Sequence, residues 1–180
     1  ILQEKHKLWG ALASNRLSTI ELLEKGQRLG MDFTASAYLV FLFKLMQEGD
    51  ATGCSDELNR ASEKVNILSG TWEKVLSFDR SPEGWAFLIK GESKAEVLET
   101  FAETKKELLN LVAAYPKVEY FGGLGSIVQR IGDIQNSYKE AARAFSSRFF
   151  LDANQIADSA EMVPVQNEED GKIDVSKMLS

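Results

Sequence analysis

The sequence predicts an α+β fold, an antiparallel sheet with helices packed on it, and three features predict it. The run from Tyr38 to Met46 is apolar and aromatic, with Lys44 as its one charge, which is typical of a central strand buried on both faces. Two short period-two runs, Trp72 to Phe78 and Trp85 to Ile89, flank a turn that contains Pro and Gly and predict a β-hairpin. Amphipathic helical segments lie between and after these strands.

The remaining segments complete a ferredoxin-like order of strand, helix, strand, strand, helix, strand, helix, with the helices on one side of the sheet. The predicted helices run from Ser55 to about Leu68, from Ser93 to a point before Pro116, and from Ile134 to about Arg148. A strand from Val118 to Phe121 is expected to close in a turn, Gly122 to Gly125. A last short edge strand is expected between Phe149 and Ile156.

Capping residues mark several helix starts. Ser18 to Glu21 and Ser93 to Glu96 both have the form of a capping box, in which a serine hydroxyl and a glutamate carboxylate accept from free backbone amides. Asp133 can cap the last helix. Gly30 ends the helix that starts at Ser18, and the segment from Gly49 to Gly53 is predicted to be a turn.

The opening segment is predicted to be an amphipathic helix, because its apolar residues recur at helical spacing: Ile1, Leu2, Leu8, Trp9 and Leu12. Two interpretations stay open for it. The helix could pair with its twin in a homodimer and transmit the state of an upstream domain, or it could cap the core of its own domain.

Composition excludes several classes of function. The net charge is −6, and the 21 Lys and Arg residues are scattered among 27 acids, so direct nucleic-acid binding is not expected. Cys54 is the only cysteine and His6 the only histidine, which leaves no disulfide framework and no Cys/His zinc site and favours a reducing, cytoplasmic location. No apolar run approaches the roughly 20 residues that a membrane-spanning helix needs.

Four features could carry chemistry, and each has a simpler structural interpretation that we favour. The glycines from Gly122 to Gly125 could cradle a phosphate, but Val128 stands where a third spaced glycine belongs, so a tight turn is favoured. Cys54 could be a nucleophile, but His6 lies in a distant helix. Trp72 and Trp85 could line a ligand pocket, although sheet packing is favoured. Lys44 is expected on an edge or an outward-facing position, because a buried ammonium is costly.

The segment from Tyr120 to Phe150 resembles the closing segment of degenerate GGDEF-like (diguanylate cyclase-like) domains in bacterial regulators. The resemblance is greatest to YesN-type response regulators, which carry AraC-type DNA-binding domains. PucR-type and related regulators carry similar helices. In that family a strand ends in a Gly-x-Gly turn, here Gly123 to Gly125. A helix then opens with a pattern matched by Ser137, Tyr138, Glu140, Ala141 and Ala144. The order of elements extends the resemblance to about 150 residues.

The resemblance implies three regions: an N-terminal helical linker region (1–34), a degenerate GGDEF-like domain (35–160) and an acidic linker (161–180) to a downstream domain. In active diguanylate cyclases, carboxylates on the first strand and an acidic pair in the hairpin hold magnesium. Here the strand from Tyr38 to Met46 has no acid, and the hairpin position of the acidic pair, Arg80 to Trp85, has Glu83 with no adjacent acidic partner. The expectation is therefore that the domain is not an enzyme and has no catalytic, cofactor-binding or metal-binding residues.

By the same resemblance, the chain is expected to be an excised part of a two-component response regulator that controls transcription. It would relay a signal, as a homodimer, between an upstream receiver and a downstream AraC-type helix-turn-helix domain that binds DNA. The alternative is a regulatory domain that senses a nucleotide or metabolite in a retained cyclase-like cleft.

Overall fold

The computed structural model describes residues 2–14, 16–48 and 56–161. The five α-helices of these ranges are α1 (Leu2–Ser14), α2 (Thr19–Arg28), α3 (Asp56–Ser69), α4 (Lys94–Ala113) and α5 (Ile134–Ser146). The five strands are β1 (Ala37–Gln47), β2 (Val75–Asp79), β3 (Trp85–Gly91), β4 (Val118–Leu124) and β5 (Gln155–Asp158). The α+β prediction is confirmed. No helix in the described ranges has the length and apolarity needed to cross a membrane.

The sheet has the strand order β2-β3-β1-β4-β5, so the apolar run does form the central strand. β1 pairs antiparallel with β3 and with β4, and β2 pairs antiparallel with β3 as the predicted hairpin. β5 pairs parallel with β4, with Gly122 opposite Ile156, so the sheet is mixed rather than antiparallel throughout. The reason is that α5 crosses over between β4 and β5, and such a crossover returns the chain in the same direction.

Helices cover both faces of the sheet, and the expectation of helices on one side was wrong. Tyr38, Val40 and Leu42 of β1 face the layer of α1, α2 and α5, which we call the α5 face. Phe41 and Phe43 face the layer of α3 and α4. A strand that is apolar on both faces exposes apolar side chains to water unless both faces are covered. The run that predicted a central strand therefore also required two helical layers.

The opening helix belongs to the core of its own domain. Leu8, Trp9 and Leu12 are buried on the α5 face. The Trp9 ring lies 5.1 Å from the Phe78 ring of β2 and 5.3 Å, edge to face, from the Tyr138 ring of α5. Of the two interpretations of this segment, the structure therefore supports the one in which α1 caps the domain's own core.

The predicted caps are formed in part. At α2 the capping box is complete, because Ser18 N donates to Glu21 Oε1 (3.0 Å) and Glu21 N donates to Ser18 Oγ (3.2 Å). At α4 the hydroxyl of Ser93 accepts from Glu96 N, but the Glu96 carboxylate turns to the amide of Glu92 and to Lys74, so the second box is only half formed.

Asp133 makes no side-chain cap at α5. It already belongs to a 3₁₀ turn, Ile131–Asp133, with φ −95° and ψ 1°, instead of the extended conformation that capping residues adopt. Its carboxylate lies 3.4 Å from Nε of Arg130.

Candidate functional site

The β2–β3 turn, residues Arg80 to Gly84, packs against the backbone of the central strand. Gly84 has φ +90°, and a Cβ there would lie 2.1 Å from the carbonyl oxygen of Phe43 and 2.8 Å from the Cα of Lys44. Only glycine permits both this conformation and this approach. This close approach places the carboxylate of Glu83 beside the ammonium of Lys44.

Four charged side chains meet at this turn and form what we call the hairpin charge cluster: Lys44, Arg80, Glu83 and Arg148. Oε1 of Glu83 lies 3.2 Å from Nζ of Lys44 and 3.0 Å from Nη2 of Arg148, which follows α5. Lys44 therefore lies in the central strand and is paired with a carboxylate. The expected edge or outward-facing position was wrong, because the turn brings a counter-charge to the strand.

The two arginines of the cluster lie over aromatic rings of α5 and of the turn that follows it. The guanidinium carbon of Arg148 is 4.3 Å from the ring centre of Phe145 and 4.5 Å from that of Phe149. The guanidinium carbon of Arg80 is 5.8 Å from the Phe145 ring and 5.9 Å from the Tyr138 ring. These are favourable cation–π distances. Nη1 of Arg80 is buried, and no acceptor in the described ranges receives its hydrogen bond.

The charges around Glu83 favour its ionised form. Partial burial by itself would raise the pKa of this carboxyl group, but the hydrogen bond from Lys44 and the charges of Lys44, Arg148 and Arg80 outweigh burial and hold the pKa below its ordinary value. Three cations thus face one carboxylate, and the cluster as a whole is positive.

A second glycine-containing contact lies where α5 crosses β4. A Cβ on Gly123 would lie 2.4 Å from the carbonyl oxygen of Ala141, and one on Gly125 would lie 2.1 Å from that of Ser137. Gly122 and Gly123 are part of β4 and pair with β1, so the predicted turn at Gly122 to Gly125 was wrong. Gly123 and Gly125 are required because the backbone of α5 lies directly against this segment.

The amides of this segment are also occupied. Gly125 N donates to the carbonyl of Val40 at 3.0 Å, and Val40 N donates to the hydroxyl of Ser137 at 2.9 Å, with Ser137 fully buried. The carboxylate of Glu140 accepts from the hydroxyl of Ser126. The serine and the small residues of the helix pattern therefore fix α5 on the sheet. The glycine segment makes packing contacts with α5 and does not form a phosphate cradle.

The family model described as the GGDEF-like domain matches residues 14–146. The chain belongs to the GGDEF-like family. The matched range runs from the end of α1 to the end of α5 and so contains both the hairpin turn and the β4–α5 contact. No curated protein matches the chain. The resemblance is confirmed at the level of the family, and the YesN and AraC context remains a prediction.

The hairpin of this GGDEF-like domain does not fit a magnesium ion. Magnesium takes hard oxygen ligands, usually from carboxylates and phosphates. The carboxylate of Glu83 already accepts from Lys44 and Arg148, and their charges with that of Arg80 repel a divalent cation. The carboxylate of Asp79, at the end of β2, accepts from the amide and the hydroxyl of Ser81. No group of three or more His, Cys, Asp or Glu side chains in the described ranges could hold a metal.

Sequence reasoning missed Arg80 and Arg148 as partners in this site. Arg80 follows Leu76 and Phe78 at period two, so its placement on the α5 face could have been read from the alternation. Arg148 gave no such signal, because nothing in the sequence shows that the end of α5 meets the hairpin turn.

The two tryptophans pack on the sheet as predicted. Nε1 of Trp72 donates to Glu107, and Nε1 of Trp85 donates to Asn66, each at 2.8 Å. Both rings contact Phe87. His6 is exposed on α1, and Cys54 and the predicted turn at 49–53 lie outside the described residues.

Proposed function

We propose that this GGDEF-like domain is a non-catalytic relay and interaction module of a bacterial two-component response regulator that controls transcription. The observation that carries the proposal is the pairing of Glu83 with Lys44 and Arg148. Lys44 places an ammonium on the first strand, where the resemblance expects metal-binding carboxylates in an active cyclase. A site built this way neutralises its only carboxylate instead of offering it to a metal.

The contacts of α1 support the relay part of the proposal. Trp9 touches both β2, through Phe78, and α5, through Tyr138. Tyr138 in turn lies beneath Arg80 of the hairpin charge cluster. A shift of α1 driven by an upstream receiver would therefore disturb the packing of the hairpin and of α5 together, and in a homodimer it would change the geometry presented to an AraC-type helix-turn-helix domain.

The non-catalytic part is tested by incubation of the protein with GTP and Mg²⁺, followed by chromatography of the nucleotides. The expected result is no turnover above that of buffer. Magnesium-dependent turnover that is lost in Glu83→Gln, and kept in the exposed control Glu63→Gln, would overturn the proposal.

A nucleotide- or metabolite-sensing function is the second candidate, and the positive charge of the cluster favours it. Lys44, Arg80 and Arg148 outnumber Glu83, and Nη1 of Arg80 has no acceptor in the described ranges. Phosphate groups are attracted to such sites.

Calorimetry with GTP, ATP and cyclic di-GMP separates the two candidates. A relay module gives no saturable heat with any of them. Saturable binding that Arg80→Gln abolishes, while the exposed Arg130→Gln leaves it unchanged, would establish the sensor and exclude the pure relay.

The relay itself is tested in the full regulator. Trp9→Ala removes the ring that links α1 to β2 and α5, and we expect phosphorylation of the receiver to lose its effect on the sedimentation coefficient of the dimer. A phosphorylation response that survives in Trp9→Ala, with the fold intact, would contradict this route.

A further inference from the structure

A cleft of about 380 Å³ separates α1 from the C-terminal half of α2. Leu8 of α1, Leu17 of the connecting segment and Leu29 after α2 supply apolar lining. The volume lies within the range of about 300 to 1,000 Å³ that small-molecule sites occupy. No residue of the hairpin charge cluster lines this cleft, so the two sites are separate.

The rim of the cleft is strongly cationic, although the chain as a whole has a net charge of −6. Lys7, Arg16, Lys25 and Arg28 line it, against Glu4 as the one acid of the lining. In the described ranges, none of these four cations forms an ion pair with a carboxylate.

An ordinary explanation accounts for half of this charge. Lys25 and Arg28 lie in the last turn of α2, where cations offset the negative end of the helix dipole. That explanation does not cover Lys7 and Arg16, which approach the same cleft from α1 and the segment after it.

Arg16 is held in position over the cleft. Its backbone N donates to the carbonyl of Ala11 at 3.1 Å, and its Nε donates to the hydroxyl of Ser14 at 2.7 Å. The guanidinium lies close against Gly10, where a Cβ would come within 3.2 Å of Nη2. A long side chain fixed this way loses less conformational freedom when it binds an anion than a freely rotating one does.

We propose that this cleft binds a small organic dianion, with its anionic group between Arg16, Lys7 and the two cations of α2 and a short apolar body against the leucines. Such a ligand would bridge α1 and α2 and hold α1 on the domain. The inference does not depend on the proposed relay function, because it concerns different residues.

Phenyl phosphate is a suitable probe, since it joins a dianionic group to a small apolar ring. Titration of the ¹⁵N-labelled protein should give saturable shifts at the amides of Leu8, Ala11 and Leu17, and the affinity should fall as salt is added. Inorganic phosphate should bind at least about tenfold more weakly, since it lacks the apolar part, and phenol should give no saturable shift.

Three variants make the test specific. Arg16→Gln should weaken phenyl phosphate binding roughly tenfold through loss of a charge-assisted hydrogen bond. Gly10→Ala keeps every charge but crowds Nη2 of Arg16, which must move by a few tenths of an ångström, so it should weaken binding less than Arg16→Gln does. The thermal midpoint should stay level or rise, because Ala is the better helix former. Lys64→Gln, exposed on α3 at the other face of the sheet, should bind as the wild type does.

The proposal is overturned by any of three results. These are the absence of saturable shifts in the wild type, equal binding of phenol and phenyl phosphate, and an equal loss of affinity in Lys64→Gln and Arg16→Gln. Unchanged shifts at amides of β3 in each variant would show that the fold is intact.

Discussion

The hairpin turn and the β4–α5 contact both depend on glycine, but different forces complete them. At the β4–α5 contact, two backbones touch, and a Cβ on Gly123 would lie 2.4 Å from a helix carbonyl. At the hairpin, Gly84 brings the turn to β1, and the contact is then completed by side-chain charges on Lys44, Glu83 and Arg148. The first region has no room for change, whereas the second, apart from Gly84, can exchange its charged side chains without steric cost.

The β4–α5 contact therefore holds the fold of this chain, and the hairpin sets the charge of the candidate site. The charges of this hairpin can change while the sheet is kept, because they lie at the partly exposed end of the strands. The glycines under α5 cannot change without movement of the helix. The expected effects of substitution therefore fall from the β4–α5 contact to the hairpin.

The largest effect is expected for Gly123→Ala. The added methyl group meets the carbonyl of Ala141 and the amide of Phe145, neither of which can move without the helix, so the free energy of unfolding should fall by about 2–4 kcal/mol. Urea denaturation measures it. Gly132→Ala is the matched control, since nothing lies within 4 Å of its added Cβ, and it should change stability by less than about 0.5 kcal/mol.

Ser137→Ala should have the next largest effect. It leaves the buried amide of Val40 in the central strand without its acceptor, which costs about 1–3 kcal/mol. Ser146→Ala, on the same helix, removes only an exposed hydroxyl that donates to Ala142 and should cost less than about 0.5 kcal/mol. Equal losses in the two variants, measured by thermal unfolding, would refute the role given to Ser137.

Glu83→Gln should have a smaller, pH-dependent effect. Because the pKa of Glu83 is lowered in the folded protein, its carboxylate stabilises the fold above the pKa of the unfolded chain, and this contribution is lost as the pH falls through the folded value. The side chain is 41% exposed, so the wild type should exceed the variant by under about 1 kcal/mol at neutral pH. The difference should begin to shrink near the ordinary pKa of a glutamate, about 4.3, and should be lost once the pH lies below the folded value. A difference that does not shrink on acidification would show that the ion pairs are not its source.

The smallest effect is expected for Lys44→Met. The substitution removes one cation, but Arg148 still pairs with Glu83, and an apolar side chain of similar length suits the strand. The urea midpoint should move by an amount equivalent to less than about 0.5 kcal/mol. A loss of several kcal/mol would mean that the cluster supports the fold and is not a replaceable feature of the hairpin.

Much of the fold could be predicted from local pattern. The apolar run from Tyr38 to Met46 placed the central strand, and the capping box at Ser18 placed α2, because both signals depend on neighbours along the chain. The second helical layer was missed, although a strand apolar on both faces already required it. The direction of β5 was missed because strand pairing depends on the path of the chain through space.

The site was less predictable than the fold for the same reason. Lys44 and Glu83 are 39 residues apart, and Glu83 and Arg148 are 65 residues apart, so no local pattern connects them. The glycines at 122–125 gave a clear signal, but the backbone of α5, which Gly123 and Gly125 touch, lies 12 or more residues further along the chain. A strand glycine can mark a turn, a ligand or a close helix, and only the packed structure separates these.

The exclusion of a divalent cation from the hairpin can be tested directly with Mn²⁺, a paramagnetic substitute for Mg²⁺ that prefers the same oxygen ligands. Amide signals of the ¹⁵N-labelled protein would be followed as Mn²⁺ is added. Broadening at Lys44, Glu83 and Gly84 should be no greater than at exposed glutamates of α4, such as Glu99. Selective, saturable broadening at those three hairpin positions, reversed by excess Mg²⁺, would contradict the proposal that this GGDEF-like domain has lost its metal site.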